Sequence, residues 1–170
     1  MGGLNTNEGV YMRKIVTGAV IAAALAGSLS AGERYFTVKG GTLSGDFDSE
    51  FRGSVGIELR NGTSSGGEFA YDLGFDLAYS GDSEYFSMGA YFQPGYMVDR
   101  RTFVGATLGV QGGNLGNDVG VWGGTLGAAL KYDVTDEWRI GLEYRHEFDK
   151  AEGDIDVDAD VFYVGLGYAF

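Results

Sequence analysis

Any histidine chemistry in this chain must use His146, because the sequence contains only one histidine. A hydrolytic site of the His-x-Ser kind would need serine at the second position after it, where Phe148 stands. The period-two spacing along 138–148 places His146 on the same face as Trp138 and Phe148, which is the apolar face of a strand. We therefore expect no catalytic residue, and we interpret His146 as a polar residue within an aromatic interface.

Alternating aspartates over 154–160 raise the question of a calcium site. A helix–loop–helix calcium loop that begins at Asp154 needs glycine at its sixth position and glutamate at its twelfth, but alanine and glycine stand there. That site is excluded. Asp158 and Asp160 share the outward phase of Phe162, so one interpretation is that divalent ions bridge them to lipid phosphates. The other interpretation is a solvated acidic loop.

Composition excludes several further chemistries. The 170 residues include no cysteine, which excludes disulfides, thiolate metal sites and a cysteine nucleophile. The glycine pair at 123–124 precedes no helix, so it is not a phosphate loop. A formal charge of −12 argues against a nucleic-acid partner, despite the basic pair Arg100 and Arg101. The sequence predicts no cofactor, no metal site and no nucleic acid.

The elements that carry these residues are strands, because apolar and polar residues alternate along most of the chain. The clearest runs are 69–79, 138–148 and 161–170, and weaker ones lie near 34–43, 51–60, 85–97, 102–111 and 119–132. This pattern predicts an all-β fold, an eight-stranded antiparallel up-and-down β-barrel. Pro94 has no N–H for the ladder, so it predicts a bulge or a strand end.

The apolar face of these strands predicts a membrane environment. In 138–148 this face carries Trp138 and Leu142, whereas the opposite face carries Arg139 and Glu143. Large side chains in unbroken columns would overfill an eight-stranded barrel, so we expect them to face lipid, with aromatic girdles at both interfaces. Connections are expected near 44–50, 80–84, 112–118 and 149–158 on the outer side, and near 61–67, 97–101 and 133–137 on the periplasmic side.

The inward face predicts a lumen lined by charge. Six basic and five acidic residues take the inward phase: Lys39, Arg52, Glu58, Arg60, Asp72, Asp76, Lys131, Arg139, Glu143, Arg145 and Glu147. Charges confined in so narrow a space must pair or stay hydrated. One interpretation is a salt-bridged plug that stabilises the barrel, and the other is a narrow, gated water path past inward glycines. These glycines are Gly89, Gly105, Gly109, Gly123 and Gly127.

Residues 1–31 are interpreted as a leader that is absent from the mature protein. Met12, Arg13 and Lys14 form a short basic start, 15–27 is apolar, and small residues follow. This order is typical of a cleavable secretory signal peptide. We predict an N-terminal extension and signal peptide over 1–31 and a mature barrel over 32–170.

Two segments resemble a known family. The segment 131–145, KYDVTDEWRIGLEYR, looks like the turn between the sixth and seventh strands of the outer-membrane protein A-like and opacity-type porin family. The outward residues of the last strand are similar to the signal that the assembly machinery of such barrels reads. They are Phe162, Val164, Leu166, Tyr168 and Phe170.

The resemblance implies a location in the cell outer membrane. The partners it implies are outer-membrane lipid, lipopolysaccharide and the assembly machinery, and we expect a monomer. We expect a structural or interfacial role without enzyme activity, in membrane integrity and lipopolysaccharide contact, with the lumen plugged by its charged network. A narrow channel for small ions or solutes is the alternative, and a lipid A-modifying enzyme is a more distant one.

Overall fold

A closed β-barrel forms the part of the chain that the computed structural model describes, residues 32–62, 66–116, 119–153 and 155–170. In chain order these residues form β1 (Glu33–Gly45), β2 (Glu50–Asn61), β3 (Glu68–Ser80), β4 (Tyr85–Met97), β5 (Thr102–Leu115), β6 (Val119–Asp133), β7 (Trp138–Ala151) and β8 (Ile155–Ala169). Each strand pairs with its sequence neighbour in the antiparallel sense, and β1 also pairs with β8, which closes the barrel. The predicted eight-stranded antiparallel up-and-down barrel is confirmed. The predicted leader over 1–31 lies outside the described residues.

Strand alternation sorts the side chains between the two faces of the barrel. Along β7, Arg139 and Glu143 are buried, whereas Ile140 and Leu142 are 45% and 43% exposed. Large apolar side chains on other strands are exposed to a similar or greater degree, up to 69% for Phe51. Water would disfavour so much exposed apolar surface, whereas a bilayer places it against hydrocarbon. The predicted outward orientation of the apolar face is confirmed.

The barrel has two ends, which differ in the connections they carry. Both chain termini of the barrel and the connections β2–β3, β4–β5 and β6–β7 lie at one end, here named the termini end. The connections β1–β2, β3–β4, β5–β6 and β7–β8 lie at the other, here named the far end. Among the described residues, no helix is long and apolar enough to cross a membrane.

The far-end connections are shorter than the sequence predicts. β5 continues to Leu115, β7 continues to Ala151, and β8 begins at Ile155. Much of the predicted outer connections at 112–118 and 149–158 is therefore strand, and both predictions are wrong. Ladder pairs continue through these segments, as between Ala151 and Ile155.

Within β8 the apolar residues change from the inward face to the outward face, which explains why the connection at 149–158 was predicted wrongly. From Phe162 onward the outward side chains are apolar, but before it the outward side chains are acidic and the inward ones apolar. The outward residues are Asp156, Asp158 and Asp160, and the inward ones are Val157, Ala159 and Val161. Because the apolar side chains still have an interior to fill, the strand persists beyond the lipid-facing band.

Pro94 lies within a continuous strand, so the predicted bulge or strand end is also wrong. Phe92 pairs with Leu108 and Gly95 pairs with Gly105. The two pairs are equally far apart on both strands, so neither strand contains an extra residue. The ladder to β3 runs through Pro94 without a break. Only the pairing with β5 is interrupted around Pro94, because proline has no N–H to donate.

Candidate functional site in the barrel lumen

The eleven charged residues predicted to face inward all lie buried inside the barrel. They are Lys39, Arg52, Glu58, Arg60, Asp72, Asp76, Lys131, Arg139, Glu143, Arg145 and Glu147, and each exposes 5% of its surface or less. The structure adds Glu50 and Asp149, which are buried as well. Sequence reasoning missed these two because β2 begins earlier and β7 ends later than predicted.

Lys131 lies at the centre of the buried charges. Its ammonium group donates to Asp72 at 2.8 Å, and it contacts Glu58 and Gln93. Arg60 donates to both oxygens of Asp72, from Nε at 2.9 Å and from Nη2 at 3.1 Å. Charge-assisted pairs of this kind offset the cost of removing each charge from water.

A second cluster of charges bridges strands on different sides of the lumen. Lys39 on β1 donates to Glu143 on β7 at 3.0 Å and to the Tyr91 hydroxyl on β4 at 3.1 Å. Arg145 on β7 lies 2.8 Å from Asp76 on β3 and 2.7 Å from Glu143. These side chains therefore connect β1, β3, β4 and β7 across the lumen.

Tyr91 is a large inward ring that sequence reasoning did not single out. It fits because Gly74 on the adjacent strand leaves room, since a Cβ at Gly74 would come within 2.0 Å of the ring. The Tyr91 hydroxyl donates to Glu58 at 3.2 Å, and the Arg145 guanidinium lies 4.4 Å from the ring centre. The odd-numbered residues of β4 face the lumen, so the alternation along this strand could have identified Tyr91 as an inward residue.

At the termini end, Arg139 stacks on an aromatic ring. Its guanidinium carbon lies 3.6 Å from the centre of the Tyr35 ring, and its Nε donates to Asp133 at 2.6 Å. Nη1 and Nη2 of Arg139 have no hydrogen-bond partner among the described residues. The nearest carboxylates to these two nitrogens include Glu58 and Glu33, each at 3.8 Å.

Towards the far end, some polar contacts are incomplete as well. Arg52 lies 3.3 Å from Glu147 and donates to Ser87. Within the described part of the chain, Arg52 Nε, Ser54 Oγ and Thr125 Oγ1 are buried without a hydrogen-bond partner. Buried polar atoms in this situation are generally satisfied by internal water.

The interior of the far end holds apolar side chains beside buried polar ones, of which Asp149 accepts a hydrogen bond from the Tyr85 hydroxyl. The buried apolar and aromatic side chains form one cluster, here named the apolar cap: Leu43, Tyr85, Val121, Ala151, Ala159, Val161 and Tyr163. Phe47, Leu115, Val119 and Val157 pack against the cap. The sequence did not predict this cluster, because its residues lie where outer connections were expected or beside them.

The outer face near the far end carries the single histidine. His146 Nδ1 lies 3.1 Å from Asp160 Oδ1, and the Tyr144 hydroxyl donates to the same oxygen at 2.6 Å. Asp158 is exposed on the same face. In the residues that the structure describes, no group of three or more His, Asp and Glu side chains is arranged to hold a metal ion.

The five residues that resemble an assembly signal all lie on the outer face of β8 or at its end. Phe162, Val164, Leu166, Tyr168 and Phe170 are between 44% and 67% exposed. They form a continuous apolar column that reaches the last residue of the chain. This column faces away from the lumen charges.

Comparisons with known proteins agree with this architecture. The model of a family described as outer membrane protein beta-barrel domain matches residues 15–170. A solved structure of a de novo designed transmembrane β-barrel is similar at TM-score 0.56 and 14% identity, over 83% of this chain and 98% of its own. No curated protein sequence matches the chain.

Two natural proteins of known structure are also similar. Neisserial surface protein A, NspA, has TM-score 0.54 and 14% identity, over 82% of this chain and 97% of its own. Ail, the attachment invasion locus protein of Yersinia pestis, solved in complex with the heparin analogue sucrose octasulfate, has TM-score 0.50 and 12% identity, over 82% and 99%. At such identities the likeness concerns the fold alone.

Proposed function

The chain belongs to the outer membrane protein beta-barrel domain family and lies in the cell outer membrane, and we propose that its role there is structural and interfacial. In this proposal the barrel occupies the membrane and contacts lipopolysaccharide. It neither conducts solutes nor catalyses a reaction. The termini end faces the periplasm, and the far end faces the cell exterior.

The observation that supports the proposal most is that paired charges in the middle of the lumen and apolar contacts at the far end lie in series along the barrel. In the middle, Lys39, Lys131 and Arg145 pair with carboxylates on other strands. At the far end, the apolar cap occupies the interior. An ion that crosses the barrel would have to separate paired charges and then displace the side chains of the apolar cap. Both obstacles support a closed barrel.

The outer face of β7 and β8 supports a contact with lipopolysaccharide. Its polar residues near the far end, here named the outer ladder, are Tyr144, His146, Lys150, Asp156, Asp158 and Asp160. Lys150 lies 3.3 Å from Asp156 on the exposed surface. Phe162 begins the apolar column next to the ladder, which supports a position of the ladder at the depth of sugar and phosphate groups. Carboxylates at this depth reach lipid phosphates through divalent cations.

The last strand supports recognition by the outer-membrane assembly machinery. Its outward residues, from Phe162 to Phe170, form the apolar column that resembles such a signal. We also propose that the protein is a monomer, because β1 pairs with β8 and leaves no strand edge for a second copy.

A narrow channel is the alternative function, and two observations favour it. A cavity of about 310 Å³ opens at the termini end. Buried polar atoms around Arg52, which have no partner among the described residues, indicate internal water. A channel would still need a path through the apolar cap, so the closed barrel has the stronger support.

A lipid A-modifying enzyme has less support. His146 lies on the outer face and has phenylalanine two residues later, where a His-x-Ser site would have serine. Its observed partner is Asp160. We propose that the chain has no enzyme activity.

Unfolding of the mature chain in urea tests the contact with lipopolysaccharide. We expect lipopolysaccharide to raise the free energy of unfolding over that in phosphatidylglycerol bilayers, and a chelator to remove most of the gain. Combining Asp158→Asn with Asp160→Asn should abolish the chelator-sensitive part, because the carboxylates that hold the cations are gone. Asp136→Asn at the termini end is the matched control. Equal stabilisation of the double variant and the wild type, with and without chelator, would contradict the cation-bridged contact.

A further inference from the structure

The cavity at the termini end is lined by both signs of charge. It has a volume of about 310 Å³. Tyr35, Arg60 and Met97 are buried and line its inner part, and Glu33, Arg101 and Asp136 are exposed and line its mouth. The basic and acidic groups of the mouth belong to different connections of the barrel. The charges of the mouth are exposed, although Glu33 also accepts a hydrogen bond from the Tyr35 hydroxyl at 2.7 Å.

A guanidinium group with unused donors lies behind the inner wall of this cavity. Arg139 exposes only 2% of its surface, and its Nη1 and Nη2 have no hydrogen-bond partner among the described residues. Its Nε donates at 2.6 Å to Asp133, which lines the cavity, and its Nη2 lies 3.8 Å from Glu33 at the mouth. Arg60 Nη1 also donates to Asp133, at 3.2 Å, so the two guanidinium groups hold this carboxylate in the wall of the cavity.

Basic and acidic residues of the mouth lie on different connections, and a hydrogen bond joins the connection β4–β5 to the end of β6. Arg100 and Arg101 lie in the connection β4–β5, and Asp136 lies in the connection β6–β7. The Asp133 N–H donates to the Arg101 carbonyl at 2.9 Å. The backbone therefore fixes the relative positions of the basic and acidic sides of the mouth.

We propose that this cavity binds small zwitterions, either free amino acids or short peptides whose ammonium and carboxylate groups lie close together. The carboxylate of the ligand lies against Arg100 and Arg101, which both line the cavity. The ammonium group lies against Asp136 and Glu33, and the apolar part rests on Tyr35. The volume is at the lower end of the range for small-molecule sites, roughly 300–1,000 Å³, which favours an amino acid or a dipeptide over a longer chain.

A ligand with one sign of charge fits the cavity less well. Acetate or phosphate attracted by Arg101 would meet Glu33 and Asp136 at the same mouth. A simple amine attracted by the two carboxylates would meet Arg100 and Arg101. Only a ligand that carries both charges complements both sides at once.

Titration of the mature protein in detergent micelles, followed by the amide resonances of the connections β4–β5 and β6–β7, tests the proposal. The probes are alanyl-alanine, N-acetyl-alanyl-alanine, which lacks the ammonium group, and alanyl-alanine amide, which lacks the carboxylate. We expect each blocked dipeptide to bind about tenfold more weakly than the free one, because one charge-assisted contact is lost. Equal binding of blocked and free dipeptides, or of acetate and the free dipeptide, would overturn the proposal.

Free alanine separates the two sources of the zwitterion. If alanine binds more tightly than alanyl-alanine, the site takes free amino acids, and if it binds more weakly, the site takes peptide ends. Either result supports a zwitterion site. No resonance shift with any of these probes, at the highest concentration that their solubility allows, would overturn it.

Variants assign each end of the ligand to its side of the mouth. Asp136→Asn should weaken the binding of alanyl-alanine about tenfold and leave N-acetyl-alanyl-alanine unchanged, because only the first has an ammonium group. Arg101→Gln should weaken alanyl-alanine and leave the amide unchanged. Asp48→Asn at the far end is the matched control and should leave the affinity for every probe as in the wild type. If Asp136→Asn weakened both dipeptides equally, the assignment of the ammonium group would be wrong.

Discussion

The middle and the far end of the same lumen are filled by opposite kinds of contact. In the middle, Lys131 and Arg145 reach carboxylates on other strands, whereas at the far end Leu43 and Val161 meet other apolar side chains in the cap. Charged pairs are directional and must be complete, because an unpaired buried charge is costly. Apolar contacts need only exclude water and fill space. The two regions should therefore respond differently to mutation.

Both regions lie on the same strands, which shows how the chain marks the limit of the membrane. On β1, Lys39 belongs to the charged middle and Leu43, on the same face, belongs to the cap. On β7, the corresponding residues are Glu147 and Ala151. Where the outer face meets lipid the inner face is mostly charged, and where the outer face becomes acidic the inner face carries the apolar cap beside Asp149.

Removal of one charge from the middle region should cause the largest loss of stability. Lys131→Met deprives Glu58 and Asp72 of their shared ammonium group, so the free energy of unfolding should fall by about 3–5 kcal/mol. Urea titration in lipid vesicles measures this loss. Adding Glu58→Gln to the same chain should recover part of it, because one stranded charge is removed. A loss below about 1 kcal/mol for Lys131→Met would match an exposed pair and contradict the buried network.

A cavity in the apolar cap should lower the free energy of unfolding slightly less than the loss of Lys131. The size of this decrease should not depend on salt. Leu43 is fully buried, so Leu43→Ala should lower the free energy of unfolding by about 2–5 kcal/mol. The same titration at low and high salt measures the difference from the charged middle. Because no charge is involved, the loss should be equal at both salt concentrations. A loss that shrinks as salt rises would show that the two regions are not distinct.

The lipid-facing surface should tolerate charge least near its middle. Leu142 lies on the outer face of β7, and Leu142→Arg should lower the free energy of unfolding by about 2–4 kcal/mol in bilayers. Val98 is exposed in the connection β4–β5, so Val98→Arg should cost only about 0–1 kcal/mol. Equal costs in the same urea titration would mean that β7 is misplaced relative to the membrane.

The smallest effect should come from a hydrogen-bonded turn outside the membrane. Asp99 Oδ1 accepts the N–H groups of Arg101 at 2.7 Å and Thr102 at 2.8 Å, and these contacts hold the pKa of the Asp99 carboxyl below its usual range. A carboxyl with a lowered pKa stabilises the fold above the pKa of the unfolded chain, about 3.9, and this contribution is lost as the pH falls through the folded pKa. Asp99→Asn should therefore lower the urea midpoint slightly at neutral pH and not in strong acid. A difference that persists in strong acid would contradict this origin.

The strands and the buried charges could be predicted from sequence because period-two alternation is a local property. Arg139 and Glu143 alternate with apolar residues on one strand, so their face follows without any knowledge of the other strands. The cap could not be predicted in this way. Val157 and Ala159 share the inward phase of Val161, but they lie in or beside the segment expected to be an outer connection.

The partners of the buried charges depend on how the barrel closes. Lys39 meets Tyr91 because β1 and β4 face each other across the lumen, and no local pattern encodes that distance. The cavity at the termini end likewise needs the connections β4–β5 and β6–β7 to meet, as they do between Asp133 and Arg101. Alternation assigns a residue to a face, but closure of the sheet decides what lies opposite to it.

Single-channel recording in planar bilayers tests the closed lumen most directly. A lumen closed by two regions in series predicts no steady current for the wild type, for Arg139→Ala with Glu143→Ala, or for Leu43→Ala with Val161→Ala. In each pair of substitutions the other region still blocks the path. The chain that carries all four substitutions should conduct steadily. A wild-type protein that conducts steadily at low voltage, with an open level unchanged by the four substitutions, would contradict a closed lumen.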